Sequence, residues 1–399
     1  MIYKYKAIAN NGQVIEGFFE ANSESDVISM IKGNHHIPVL VESDVGADAQ
    51  FEIFAPKVKK KDLAIFCRQF YTMINAGLGI VKCLDILVAQ TANKTMKTAL
   101  AGISEDVQKG FTLSEAMKKH SKIFPTILIS MIEAGEVSGN LDSIMERMSV
   151  HFEKENRLES KIKGALIYPM ALIVVSVSVV IFMLVAVLPT FVGMFEGSDT
   201  PLPGPTRFLI GISASIQAYW FIYVGVIGFT SVALLMFKQS PEGIRFFDNL
   251  KIKTPFIKIT TAKIITSRFT RTLSTLMSSG IPLIQALEVV GKVVNNSIVK
   301  ERLDNGIENI RKGVTLSKAV KDVGIFPPMV DSMIKIGEES GSLDDILYKT
   351  ADFYDEEVEA SLQRMTTLIE PILIVGMAVV IGFIVIAMAL PMFDVVNTI

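Results

Sequence analysis

The chain has 399 residues, with 39 Lys+Arg against 41 Asp+Glu and a net charge of −2. Near neutrality excludes a general nucleic-acid binder, which carries a basic excess, and the length suggests two or three folding units. Charged residues make up 20% of the chain, yet residues 164–195, 208–237 and 371–393 contain none. That is the pattern of a membrane protein with most of its mass in water.

Residues 1–42 read as a small β-β-α-β module. Tyr3-Lys4-Tyr5-Lys6-Ala7 alternates like a strand. Asn11-Gly12 is a hairpin-turn dipeptide and Val14 to Glu20 gives the second strand. Ser23-x-x-Asp26 opens a short amphipathic helix carrying Val27, Ile28 and Ile31, and Ile37-Pro38-Val39-Leu40-Val41 closes the module. The first six residues have no apolar core, so no signal peptide is expected. Residues 43–60 read as a polar linker ending in the basic run Lys57, Lys59, Lys60 and Lys61, either solvated or against anionic lipid.

Residues 61–163 read as a first helical bundle. Leu63, Phe66, Phe70, Met73 and Ile74 recur at helical spacing, Gly77 stops that helix, and Ile80, Val81, Leu84, Leu87 and Val88 restart it. Gly110 followed by Thr112-Leu113-Ser114 reads as a stop, an N-cap and a fresh start. Gly135-Glu136-Val137-Ser138-Gly139 reads as a turn, with Asn140 as the next N-cap. The first span is expected over 168–190, bounded by Pro169 and Pro189, with an external loop over 191–215. The second covers 216–237, with Tyr219, Trp220 and Tyr223 as an aromatic belt. A linker (238–262), a second bundle (263–366), a third span (371–391) between Pro371 and Pro391, and an external tail (392–399) complete the chain.

Cations set the expected direction. Lys154, Arg157, Lys161 and Lys163 precede span one, and Lys238, Arg245, Lys251, Lys253, Lys258 and Lys263 follow span two. The 190–215 stretch has only Arg207. The positive-inside rule then places both bundles and the N-terminus in the cytoplasm and the C-terminus outside.

The two bundles are copies. At an offset of 203, Phe66-Cys67-Arg68 meets Phe269-Thr270-Arg271, Gly77 meets Gly280, and Lys109 to Ala116 meets Lys312 to Ala319. At 202, Phe124-Pro125 meets Phe326-Pro327, and Gly135-Glu136-x-Ser138-Gly139-x-Leu141-Asp142 meets Gly337-Glu338-x-Ser340-Gly341-x-Leu343-Asp344. The match continues through Pro169/Pro371 and Leu188-Pro189/Leu390-Pro391, so spans one and three are equivalent. Each copy reads as about six helices in an antiparallel bundle, with Pro282 in a first helical turn and Ser342 as an N-cap in the second. Helix capping accounts for Gly135, Gly139, Gly337 and Gly341. It leaves Glu136 and Glu338 without a role, which makes these carboxylates candidate partner contacts on exposed loops, where charge reversal costs little stability.

Chemistry is sparse. Cys67 and Cys83 read as buried structural thiols, and His35, His36, His120 and His151 form no metal or catalytic set. Gly135–Asn140 lacks the Gly-Lys-Ser/Thr end of a phosphate loop. No enzymatic activity, cofactor or metal is expected. A transporter calls for charge at membrane depth, and only Glu370 approaches a span, as an interfacial carboxylate at a helix start. A receptor calls for a sizeable external domain, and 191–215 is too short for one.

The opening Tyr-Lys-Ala and Asn-Gly, the duplicated Gly-Glu-x-Ser-Gly-x-Leu-Asp, the Tyr168-Pro169 and Glu370-Pro371 entries and the Leu-Pro-x-Phe exits resemble the inner-membrane platform family of type IV pilus assembly and type II secretion. The resemblance covers essentially the whole chain. It implies a mainly α membrane protein with two repeated cytoplasmic bundles, three spans and no activity of its own. It further implies a bacterial inner-membrane homo-oligomer that couples a cytoplasmic hexameric motor ATPase to pilin or pseudopilin transmembrane helices, among other inner-membrane assembly proteins. Some family members bind a divalent cation on the helix after the Gly-Glu motif. Glu146 stands at such a place, but one turn later comes the apolar Val150.

Overall fold

The computed structural model describes residues 2–8, 14–20, 24–33, 36–43, 56–194 and 203–396. The expected Asn11-Gly12 turn, the Ser23 helix start, most of the 43–60 linker, part of the 191–215 loop and the end of the tail lie outside the described residues. The chain divides into two units: residues 1–57 with 92–95, and residues 58–91 with 96–399.

In the first unit, β1 (Ile2–Ile8), β2 (Val14–Glu20) and β3 (Ile37–Ser43) form an antiparallel sheet in the order β2-β1-β3. β1 pairs Ile2 with Glu20 at one end and Ile8 with Val14 at the other. Pro38 pairs with Ala7 on the edge strand β3, next to a register shift, where a residue without an N–H is tolerated. Helix α1 (Glu24–Gly33) precedes β3 and buries Ile31.

The second unit holds the two copies, each of six helices. The first comprises α2 (Lys60–Asn75), α3 (Ile80–Gln90), α4 (Lys94–Gln108), α5 (Leu113–Lys118), α6 (Thr126–Ser138) and α7 (Leu141–Phe182). A π-helical turn (Met183–Val187), α8 (Leu188–Gly193), α9 (Gly204–Gln239) and α10 (Pro241–Lys253) follow. The second copy comprises α11 (Pro255–Met277), α12 (Leu283–Val293), α13 (Ser297–Arg311), α14 (Leu316–Val323), α15 (Pro328–Ser340) and α16 (Leu343–Val396). α2 packs along α7, and α11 along α16.

The cores repeat residue by residue. The Phe66 and Phe124 rings lie 5.8 Å apart, and their counterparts Phe269 and Phe326 lie 4.7 Å apart. One continuous apolar core joins the two copies. Caps follow local sequence. Thr112 closes a capping box with Glu115 at the start of α5; at the equivalent start of α14 Thr315 makes no side-chain cap, and Lys318 in the place of Glu115 cannot supply the reciprocal acceptor. Pro282 sits one residue earlier than expected, at the N-cap of α12. Asn140 occupies its N-cap position without a side-chain bond.

Three helices are long and apolar enough to cross a membrane: Leu141–Gly193, Gly204–Gln239 and Leu343–Pro391. Here the structure departs from the sequence reading. Pro169 and Pro371 do not start new helices; both lie inside α7 and α16, which run unbroken from bundle into span. The second half of the expected 191–215 loop is the beginning of α9, and the expected 238–262 linker is helical through α10 into α11.

A proline inside a helix orphans the carbonyl four residues back, and other helices supply the missing donors. Pro169 frees the Ala165 carbonyl, which Thr366 Oγ1 of α16 approaches at 3.4 Å while sharing its one hydrogen with Leu362 O of its own helix at 3.1 Å. Pro391 frees the Ala387 carbonyl, which accepts from Thr206 Oγ1 of α9 at 2.5 Å. Pro189 ends the π-helical turn, where both the four-back and the five-back carbonyls lose their partner. Gln217 Nε2 donates to Val185 O at 3.2 Å and Ser213 Oγ donates to Leu184 O at 2.6 Å. Thr206, Ser213 and Gln217 share one face of α9, so span two clasps the far ends of spans one and three beside Leu184, Leu188, Leu209 and Met388. Beyond a kink at Tyr219 (φ −121°, ψ 21°), α9 leaves this cluster and its side chains are exposed.

Candidate functional site

The duplicated Gly-Glu-x-Ser-Gly motif is not a loop. Gly135 and Glu136 lie within α6, Gly337 and Glu338 within α15. Gly139 (φ 73°) and Gly341 (φ 69°) end these helices in the left-handed conformation that glycine adopts without strain. Gly135 and Gly337 serve close approach: an added Cβ would come within 2.9 Å of Ile144 Cγ1 at the first and of Leu343 Cα at the second.

The carboxylates that capping left unexplained are themselves caps, on a different helix. Glu136 accepts from the Leu113 and Ser114 backbone N–H groups at 2.6 and 3.1 Å, and from Ser114 Oγ at 2.5 Å. Glu338 accepts from Leu316 N and Ser317 N at 2.6 and 3.1 Å. A negative charge at the exposed N–H groups of a helix start is the favoured arrangement, and it clamps α5 onto α6 and α14 onto α15. Both side chains are half-buried, so the picture of freely reversible loop charges does not hold. Beside Glu136, Val137 is 87% exposed.

The chemistry concentrates instead at the seam between the copies. Glu155 of α7 is 5% exposed and pairs with Lys60 of α2, while Arg268 Nε of α11 approaches to 3.7 Å. Asp352 of α16 accepts from Lys154 of the first copy at 2.9 Å and from Arg271 of the second at 2.8 Å, and Arg271 also binds Asp355 at 2.6 Å. Lys161 pairs with Glu359, and Arg147 donates to Ser278 Oγ at 2.7 Å. Lys154, Arg157 and Lys161 on one wall and Asp352, Asp355, Glu356 and Glu359 on the other frame a groove of about 290 Å³. Beneath it Leu158 packs on Val358 and Leu362.

At the membrane end of the seam, Tyr168 O–H donates to Glu370 at 2.9 Å. These are equivalent positions of the two copies, so α7 and α16 meet like with like just before the charge-free stretches begin. His151 is buried, and its Nδ1 makes no hydrogen bond. Burial, then the positive charges of Arg271 and Lys60, push the His151 pKa down to about 3. The seam therefore holds a neutral imidazole among cations, with Glu155 and Asp352 supplying the balancing charge.

The other expected site residues fall apart. Glu146 is exposed on α7, and among the described residues no three metal-ligating side chains come together. Pro169 and Pro391 are buried, and Pro371 is exposed. Cys67 and Cys83 are free and buried, and burial raises both thiol pKa values. The sequence reading missed the seam, although the repeat offsets pair Lys60 with Lys263, Arg68 with Arg271, Glu153 with Asp355 and Glu155 with Glu357. Each copy indeed carries the same two internal bridges, Lys60–Glu155 with Arg68–Glu153 and Lys263–Glu357 with Arg271–Asp355. Lys60, read as the end of a linker, is thus part of the bundle.

Residues 66–189 and 269–391 match the sequence signature of the family described as "Type II secretion system (T2SS), protein F". The chain is 35% identical over 399 residues to "Type IV pilus assembly protein PilC" of Myxococcus xanthus, covering 100% of this chain and 95% of that one. It is 35% identical over 402 residues to the protein of the same name in Thermus thermophilus, covering 100% and 98%. It is 33% identical over 400 residues to "Type II secretion system protein F" of Vibrio cholerae, covering 99% and 98%.

Proposed function

The chain belongs to the type II secretion system protein F family, and we propose that it couples a cytoplasmic hexameric motor ATPase to pilin insertion at the base of a type IV pilus. As a family member it is a multi-pass inner-membrane platform protein of pilus or secretion machinery. The observation that carries the coupling is the continuity of α7 and α16, which lead from the ion-paired seam into spans one and three without a break. Relative movement of the bundles then reaches the membrane along two stiff rods instead of being lost in linkers.

Other features support the same reading. The bundles would face the cytoplasm, a reading that the Lys/Arg asymmetry supports. Glu136 and Glu338 would serve the motor interface by holding α5 and α14 in place, with exposed neighbours such as Val137 making the contact. The apolar groove that spans one and three share, lined by Val177, Val180, Gly376 and Val380 among others, suits a pilin or pseudopilin helix, and self-association would complete the platform. A transporter is the weaker reading, because the polar side chains of span two that meet the other spans are committed to carbonyls freed by proline.

Deletion of the gene in its host tests the assignment. The proposal predicts loss of surface filaments with protein secretion intact. Retained filaments with exoproteins trapped in the cell would assign the chain to a secretion system.

A further inference from the structure

Among the described residues, α10 carries an apolar face left largely uncovered, with only the Phe237 ring near Phe246, and its placement says what covers the rest. We propose that α10 is a membrane-surface helix whose outward face lies in the headgroup layer on the bundle side of the bilayer, with flanking lysines on anionic lipid. Its inward face is anchored. Asp248, 5% exposed, accepts from Ser297 N at 2.9 Å and Ser297 Oγ at 3.0 Å at the start of α13, and Ile252 packs against the second copy's core. The outward face is different: Phe246 is 57% exposed and Leu250 49%, neighbours on the side of the helix away from Asp248. Lys251 continues one edge of that face and Lys253 the other, with Lys238 and Lys258 exposed at its two ends. A one-sided apolar face bordered by lysines is the composition of a helix lying in the membrane interface.

The start of α10 and the start of the following α11 are both held at membrane level. At one end it starts two residues after α9, whose charge-free span closes at Phe237. The Phe237 ring meets Phe246 and Phe247, each at 6.3 Å, and Ser240 caps the new helix by accepting from Gly243 N at 3.1 Å. This folds α10 back against the end of span two. At the other end Thr260 of α11 bonds Met365 Sδ at 3.3 Å, six residues or about 9 Å of helix rise before Pro371. Ile257 and Ile259 in the first two turns of α11 are exposed too. A helix folded back on the end of span two, and followed within seven residues by a contact near the start of span three, lies along the bilayer surface.

The test places nitroxide labels on Phe246→Cys, Leu250→Cys and, as a water-exposed control, Lys300→Cys in the full chain, reconstituted in phosphatidylglycerol/phosphatidylcholine nanodiscs. Cys67 and Cys83 are buried and stay unlabelled. At positions 246 and 250 relaxation by oxygen should exceed that by a water-soluble nickel chelate several-fold, with the reverse at 300. Replacing phosphatidylglycerol by phosphatidylcholine should raise nickel access at 250, and Lys238→Gln/Lys253→Gln/Lys258→Gln should remove that lipid dependence. Nickel access at 246 and 250 equal to that at 300 would overturn the proposal. Protection from both relaxants would overturn it as well, since that indicates cover by protein such as a second copy. Lipid dependence unchanged in the triple variant would overturn the anionic-lipid assignment.

Discussion

Glu136→Ala removes three hydrogen bonds to an ionised carboxylate and leaves two backbone N–H groups at the start of α5 without an acceptor. A hydrogen bond to a charged group contributes ~1.5–3 kcal/mol, and loss of a helix N-cap alone costs ~0.5–2 kcal/mol. The site is half-buried and water partly replaces the carboxylate, so we expect a loss of about 2–4 kcal/mol for the variant. At about 2–4 °C per kcal/mol for a domain of this order, the midpoint should fall by about 5–15 °C. The protein contains its own reporter. Cys67 and Cys83, both buried in the first copy, react with a fluorogenic maleimide only on unfolding, so the full chain in detergent can be followed directly. Glu136→Gln should fall between wild type and Ala, and Ser114→Ala should cost about 1 kcal/mol by losing one bond. Glu338→Ala should shift the same thiol signal by less, because Glu338 makes two such bonds and the copies share one core. A Glu136→Ala midpoint within 1 °C of wild type would refute the capping role and return this carboxylate to the surface as a free contact.

Gly337→Ala should destabilise more than Gly139→Ala in the same thermal assay. The first drives a Cβ to 2.9 Å from the Leu343 backbone, an overpacking cost of ~1–3 kcal/mol, whereas the second only strains an open left-handed position by ~1 kcal/mol. Because the His151 pKa is depressed from 6.5 to about 3, the unfolded chain takes up a proton in that window and the folded chain does not. Stability should therefore fall as pH drops below 6.5, by up to ~1.4 kcal/mol per unit. In thermal midpoints measured from pH 7 to 5, His151→Phe, the residue at the equivalent position 353, should remove that part of the slope. Ser213→Ala with Gln217→Leu should lower the midpoint modestly, at ~0.6 kcal/mol per interhelical bond in a membrane, and the loss should vanish in a Pro189→Ala background that restores the backbone donor.

Much of the architecture was legible because it rests on periodicity. Charge-free windows mark the spans, and the offsets of 203 and 202 mark the two copies down to Phe66/Phe269 and Glu136/Glu338. What sequence did not reveal was decided by tertiary partners. Pro169 and Pro391 read as helix boundaries since proline disrupts an isolated helix, but residues far away in the chain reach the carbonyls these prolines free: Thr206 donates to one, and Thr366 shares its hydrogen with the other. Glu136 read as a loop charge because its acceptors' donors lie more than twenty residues earlier, on α5. The seam stayed hidden for a related reason: single lysines and carboxylates on a helix read as solvated, and only the contact of α7 with α16 shows Lys154 and Asp352 facing one another.

The central claim is that displacement between the copies passes along α7 and α16 into spans one and three. A membrane-permeable bismaleimide bridging Lys161→Cys and Glu359→Cys, residues that pair across the seam, would fix the two helices together. The measurement is the rate of new filament growth in cells after mechanical shearing, with each single-cysteine variant treated in parallel. The account predicts that growth stops in the double variant and continues in the singles, at equal protein levels in the membrane. Undiminished growth with the seam fully cross-linked would contradict it.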